Sequence, residues 1–115
     1  MAEHIILFVI LCLTAFIMIG IGISQLKSTR PVGFYTGVKP PEEKQLRDVR
    51  AWNRKHGIMW IVYGSAIIGC GLVNMIAGAL GYDDVLPMIA EIAVVIGGVF
   101  VMMGYHVRLE RLYRL

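Results

Sequence analysis

Apolar positions along this chain fall into three long runs separated by charged segments. The runs cover residues 5–26, 58–80 and 88–105. A helix needs about 20 mostly apolar residues to cross about 30 Å of hydrocarbon. Each run therefore predicts one membrane-spanning helix.

The composition agrees with a membrane protein. Hydrophobic residues make up 57% of the chain and the mean hydropathy is +0.70, which lies outside the range of ordinary soluble domains. We expect a single all-α membrane domain over residues 1–115, with a first loop at 27–57 and a tail at 106–115. Three helices enclose little interior, so a homo-oligomer or a larger membrane partner is expected to cover part of the apolar surface.

The positive charges predict the orientation in the membrane. All eleven Lys and Arg residues lie in the first loop or the tail, and none lies before the first run or in the turn over residues 81–87. The positive-inside rule places that side in the cytoplasm, so both the N-terminus and this turn are predicted to lie outside. The expected partner of the basic side is anionic lipid and not nucleic acid. Because the turn is short, the second and third spans are predicted to form an antiparallel hairpin.

The second half of the first loop has a helical pattern. After Pro40-Pro41, apolar residues recur at Leu46, Val49 and Trp52 opposite charged positions. This spacing predicts a short amphipathic helix in the cytoplasmic interface, with its apolar stripe in the headgroup boundary. The alternative is a straight cytoplasmic extension of the second span.

One carboxylate lies inside a predicted span. Glu91 falls about one turn inside the outer end of the third span, and Asn74 is expected at a similar depth on the second. An ionisable residue at membrane depth is a candidate functional residue with a partner to be named. We therefore predict an Asn74–Glu91 hydrogen bond; the alternative is that Glu91 reaches the outer interface while Asn74 bonds a backbone carbonyl.

Small residues recur at helical spacing in the second and third spans. Ser65 and Gly69 form one such pair, and Ala93 and Gly97 form another. Small residues four apart allow close helix packing in lipid. The spacing leaves open whether they pack within one chain or between subunits.

The sequence carries no recognisable catalytic or metal-binding set. His56 and His106 fall at span ends on the basic side, where they form either a polar pocket near Asn53 or two interface anchors. Cys12 and Cys70 lie in apolar runs without a partner at metal-ligand spacing and are expected to be free thiols. We therefore expect no catalytic residue, no metal and no cofactor, and a protein that is not an enzyme.

The first loop resembles a known family. Residues 31–36 (PVGFYT), followed by residues 52–57 (WNRKHG) at the entry to the next span, are similar to the SdpI-like family of small bacterial membrane proteins. The resemblance implies a bacterial inner-membrane protein that gives immunity to a toxic peptide or signals by holding a repressor at the membrane. It also implies a cytoplasmic-side site formed by the matching residues, which are Gly33, Thr36, Trp52, Asn53 and Gly57.

A physical interpretation of the same loop is compatible with such a site. Gly33 and Thr36 ahead of Pro40 predict a compact turn whose backbone bonds Asn53. The alternative is a plain connector.

These features favour an accessory, immunity or regulatory protein that acts through protein and lipid contacts. The second hypothesis is a homo-oligomeric small transporter or channel that uses Glu91 and Asn74, and a membrane enzyme comes third. The inner halves of the three spans contain almost no polar side chains, whereas a transporter needs a polar path through the whole membrane. The accessory hypothesis is therefore preferred.

Overall fold

The protein consists of three long α-helices arranged along an axis of 55 Å. The computed structural model describes residues 2–34, 39–82 and 85–115, with side chains from residue 5 onward. The helices are α1 (Ala2–Lys27), α2 (Val49–Ala79) and α3 (Val85–Tyr113), and a short 3-10 turn covers Glu43–Gln45. All three are long and apolar enough to cross a membrane, which is the architecture of a multi-pass membrane protein. Each predicted span falls within one helix, apart from residue 80, which caps the end of α2, so the prediction of three membrane-spanning helices is confirmed.

α2 packs against both other helices, and its glycines set the closest approach to α1. A Cβ atom on Gly57 would lie 2.7 Å from the Gly22 carbonyl oxygen, and one on Gly64 would lie 2.9 Å from the Ala15 carbonyl oxygen. No real side chain tolerates such distances from backbone atoms. Glycine at these positions therefore allows the two backbones to touch, which in lipid favours helix association.

Near the middle of the two helices, α2 contacts α3 through an aromatic ring that lies on a glycine. The ring of Tyr63 lies over Gly98, and its hydroxyl donates a hydrogen bond of 2.6 Å to the Val95 carbonyl. The predicted small-residue pairs are not at these contacts, because Gly69 and Gly97 have open space where a Cβ would be. Within one chain, therefore, the described residues leave both pairs unused.

The turn between α2 and α3 begins with a Schellman cap. Gly81 has a φ of 82°, a left-handed conformation that glycine adopts without strain. The Gly81 amide donates to the Gly78 carbonyl, and the Tyr82 amide donates to the Ala77 carbonyl, which satisfies carbonyls at the end of α2. Pro87 lies in the first turn of α3, where its missing N–H costs no helical bond.

The predicted interfacial helix is not present among the described residues. Asp48 caps the N-terminus of α2 by accepting from the Ala51 amide at 3.0 Å, and α2 then continues without a break into the membrane span. Trp52 is 0% exposed, so the stripe does not face headgroups and that prediction was wrong. The alternative, a straight extension of the second span, is what the structure has.

The apolar stripe is instead covered by the end of α3. Leu46 and Trp52 form a small core with Leu109, and Tyr113 packs against it. The helix therefore runs well past residue 105, where the third span was predicted to end. The residues predicted to form a tail belong to α3 and present an apolar face to Leu46 and Trp52. Contact with α3 therefore replaces the contact with lipid that the sequence alone suggested.

A two-residue β-bridge closes this end of the molecule. The Arg47 amide donates to the Tyr113 carbonyl at 2.8 Å, and the Leu115 amide donates to the Gln45 carbonyl at 2.8 Å. The bridge pairs Leu46 with Arg114. The C-terminus is thereby joined to the first loop.

Candidate functional site

Asn53 holds the segment that follows α1. Its amide nitrogen donates to the carbonyls of Ser28 at 3.1 Å and Arg30 at 2.8 Å. Its carbonyl oxygen accepts from the Val32 amide at 3.0 Å. The side chain is 2% exposed, so three backbone groups of a non-helical segment depend on one buried amide. These groups precede the compact turn predicted at Gly33 and Thr36, part of which lies outside the described residues.

Three further side chains donate to the same segment. The indole nitrogen of Trp52 donates to the Val32 carbonyl at 2.8 Å, and that of Trp60 donates to the Phe34 carbonyl at 2.7 Å. Gln25 donates to the Gly33 carbonyl at 3.2 Å. Residues 28–34 carry no regular structure, so these bonds replace the backbone pairing that a helix or strand would supply.

The two histidines on the basic side contact each other. Nδ1 of His56 lies 2.8 Å from the Trp52 carbonyl, which can only accept, so it carries the proton. Nε2 of His56 therefore accepts from Nδ1 of His106, at 2.8 Å. Nε2 of His106 lies 3.6 Å from a carboxylate oxygen of Glu110. Phe34 covers the pair with its ring 4.8 Å from that of His106, so the polar-pocket alternative is the one found.

This arrangement favours neutral histidines. Burial lowers the pKa of His56 to about 4, against a smaller opposing effect of its bond to the Trp52 carbonyl. Burial also lowers the pKa of His106, although the Glu110 carboxylate acts in the opposite direction. Both residues lie just outside the predicted spans, at the end that carries the basic residues.

We expect the protein to lose stability on acidification. Because both pKa values are lower in the folded protein, the unfolded chain binds more protons below about pH 6.5, and the stabilisation present above that pH is lost as pH falls toward about 4. The midpoint of unfolding in detergent, measured from about pH 8 to about pH 5, should decrease, and less steeply for His56→Gln. A midpoint that increases on acidification would mean that Glu110 holds His106 as a cation.

The residues carried by the family resemblance have different positions in the structure. Gly33, Trp52 and Asn53 belong to this bonded cluster, and Gly57 is the contact with α1. Thr36 lies outside the described residues. The motif residues that are described thus hold the first loop and α1 against the start of α2.

Glu91 and Asn74 form the second polar site, at the other end of the molecule. Nδ2 of Asn74 donates to Oε2 of Glu91, as predicted. Glu91 is 5% exposed, so it does not reach the outer interface and that alternative was wrong. Its second oxygen, Oε1, accepts no hydrogen bond from the described residues.

A small cavity lies beside this carboxylate. It has a volume of about 30 Å³ and is lined by α1 side chains such as Phe8 and by Met75, Met88, Asn74 and Glu91. That volume is sufficient for one water molecule. The site is therefore a pocket of water size in an apolar setting.

Among the described residues, no polar path joins the two ends of the molecule. Asn74 lies about 30 Å beyond Asn53 along α2, at 1.5 Å per residue. The core between them is formed by apolar side chains that include Ala15, Met59 and Ile67. Within the described part of the molecule, neither site opens to the other.

The sequence interpretation missed part of the cluster. Trp60 and Gln25 fall inside the predicted runs 58–80 and 5–26, where neither was assigned a role. For Trp60 the spacing carries a signal, because Trp52, Asn53, His56 and Trp60 recur on one face of α2. Their partners are backbone carbonyls, which no residue pattern identifies.

Metal chemistry has no basis in the described residues. No group of three or more His, Cys, Asp or Glu side chains there could hold a metal ion. The pair His56 and His106 would supply two ligands, and their facing nitrogens already bond each other.

Comparisons with known proteins give no relative for this chain. No protein-family model matches it, and neither the curated proteins nor the solved structures contain a significant match.

Proposed function

We propose that this chain is a non-enzymatic bacterial inner-membrane protein of the accessory, immunity or regulatory kind. Its N-terminus lies outside, its C-terminus lies in the cytoplasm, and it acts through protein and lipid contacts at the basic end. The relationship to the SdpI-like family, with its immunity and signalling roles, belongs to the same proposal.

One observation carries this function: the polar groups at the basic end bond one another and the backbone. Asn53, Trp52 and Trp60 all bond residues 28–34, and the C-terminus is bridged to the first loop. An enzyme needs polar groups directed at a substrate. Here the polar groups hold residues 28–34 against the start of α2. The charged side chains around them remain available to lipid headgroups or a partner protein.

The outside of the helices supports an oligomer or a larger complex. Large apolar side chains along all three helices are exposed, for example Phe16 at 60%, Val73 at 61% and Phe100 at 68%. The faces around Gly69 and Gly97 are open to a second chain. Lipid covers whatever area a partner does not.

The second candidate, a small transporter, has a specific observation in its favour. Glu91 is buried with one unbonded oxygen beside a cavity, and buried carboxylates at membrane depth often mark ion or proton sites. Its weakness is the apolar core between Glu91 and the basic end.

Replacing Glu91 by Gln separates the two candidates. The amide keeps the shape and most of the bonding to Asn74, so we expect the free energy of unfolding to change by less than about 1 kcal/mol. In liposomes with pH-sensitive and cation-sensitive dyes, both the wild type and Glu91→Gln should give no flux above protein-free vesicles. A wild-type flux that the substitution eliminates would contradict the proposed function and establish the transporter.

A further inference from the structure

A basic recess lies at the membrane edge of α2. It has a volume of about 500 Å³ and is lined by Arg50, Arg54 and Lys55, together with Asp48 and Tyr105. Arg50 and Arg54 lie on one side of the helix, since they are four residues apart, and Lys55 lines the same recess. Like charges at this spacing repel each other, so an anion bound between them relieves that repulsion.

The cations have no counter-charge in the described structure apart from Asp48. None of Arg50, Arg54 and Lys55 is in an ion pair with another described residue. The Asp48 carboxylate already accepts the capping bond from Ala51. The recess therefore has a net positive charge.

An apolar groove continues from this recess into the membrane. It runs between α2 and α3 with a volume of about 550 Å³, and its lining includes Val62, Ala66 and Val101. Ile58 and Tyr105 line both the groove and the recess. The two spaces are thus parts of one amphipathic site.

The shape and charge of this site identify its ligand. We propose that it binds one anionic glycerophospholipid, with the phosphate at Arg54 and Lys55 and an acyl chain along the groove between α2 and α3. Basic pockets between membrane helices on the cytoplasmic side bind acidic headgroups, and Tyr105 lies where aromatic side chains meet the headgroup layer. An acidic peptide or free phosphate would leave the apolar groove uncovered.

This site deepens the proposed function, on which it rests, by naming the lipid class that contacts the basic end. The lipid also bridges α2 and α3. The groove lies beside the contact of Tyr63 with Gly98, so an acyl chain in it adds to the packing of α2 against α3.

The test uses the full-length protein, purified in detergent and freed of lipid. Native mass spectrometry and thermal unfolding are followed as dioleoylphosphatidylglycerol is added, with dioleoylphosphatidylcholine and glycerol phosphate in parallel. We expect saturable binding of the anionic lipid at one site, at least tenfold weaker binding of the zwitterionic lipid, and neither binding nor competition by glycerol phosphate.

Two variants separate the headgroup part from the groove part. Arg54→Gln/Lys55→Gln removes two charges from the recess, and its matched control is Arg108→Gln/Arg111→Gln, which removes two exposed charges outside it. Ala66→Phe fills the groove, and its control is the exposed Ala90→Phe on α3. We expect each test variant to weaken binding about tenfold and each control to bind as the wild type does.

Three results would overturn the proposed site. If Arg54→Gln/Lys55→Gln and its control weaken lipid binding equally, the lipid is attracted by overall charge. If Ala66→Phe binds the lipid as the wild type does, the groove has no role. If glycerol phosphate competes with the lipid, the recess is a phosphate site. Circular dichroism establishes that each variant is folded. If Arg54→Gln/Lys55→Gln does not fold, lipid binding by Ala66→Phe and the competition with glycerol phosphate test the proposed site. Lipid binding in detergent does not depend on the orientation of the chain in the membrane. A topology opposite to the proposed one would therefore contradict the proposed function without affecting the lipid-binding result.

Discussion

Asn53→Ala should lower the free energy of unfolding by about 2–4 kcal/mol. The substitution leaves the carbonyls of Ser28 and Arg30 and the amide of Val32 without their partner, and each unsatisfied group in a buried setting costs about 1–3 kcal/mol. The groups are only partly buried, so water recovers some of this loss. The measurement is equilibrium unfolding in mixed micelles, followed by circular dichroism.

An exposed arginine outside the recess provides the control for this prediction. Arg108 is exposed and does not line the recess, so Arg108→Ala is expected to change stability by less than about 0.5 kcal/mol. If Asn53→Ala loses no more stability than Arg108→Ala, the segment at residues 28–34 does not depend on the Asn53 side chain.

Gly57→Ala should separate α1 from α2 at their closest contact. The new Cβ would lie 2.7 Å from the Gly22 carbonyl oxygen and 2.8 Å from Cγ of Leu26. A backbone atom cannot move aside without shifting its helix, so overpacking here is expected to cost about 2–3 kcal/mol. Unfolding in mixed micelles measures the loss.

The same helix offers a matched control. Gly69→Ala introduces the same methyl group where nothing lies within 4 Å, so the higher helix propensity of alanine should leave stability equal or up to about 1 kcal/mol greater. Equal effects of the two substitutions would contradict the close contact between Gly57 and Gly22.

The spans were predictable because lipid imposes a strong rule on sequence. A helix must present about 20 apolar residues to cross the hydrocarbon, and α1, α2 and α3 each contain such a run. The Asn74–Glu91 pair was predictable for a related reason: a short turn brings two antiparallel helices to the same depth, and isolated polar groups in lipid find each other.

The basic end was harder to predict because its partners are distant in sequence or belong to the backbone. The stripe of Leu46 and Trp52 was recognised, but its covering surface at Leu109 is more than fifty residues away. An apolar stripe near a membrane can pack against lipid or against protein. Periodicity alone therefore predicted contact with lipid, whereas the stripe packs against α3. The bond between His56 and His106 likewise depends on how far α3 extends beyond the span.

The measurement that tests the account most directly is the orientation of the chain in living cells. The background is a variant in which Cys12 and Cys70 are replaced by Ala. A single cysteine is then introduced either at Tyr82, in the turn between α2 and α3, or at Arg111, at the opposite end of α3. Both positions are exposed. A membrane-impermeant maleimide added outside should modify the cysteine at Tyr82 and leave that at Arg111 unmodified until the cells are opened. The reverse pattern, with the cysteine at Arg111 labelled from outside, would place the basic end outside the cell and contradict the proposed function.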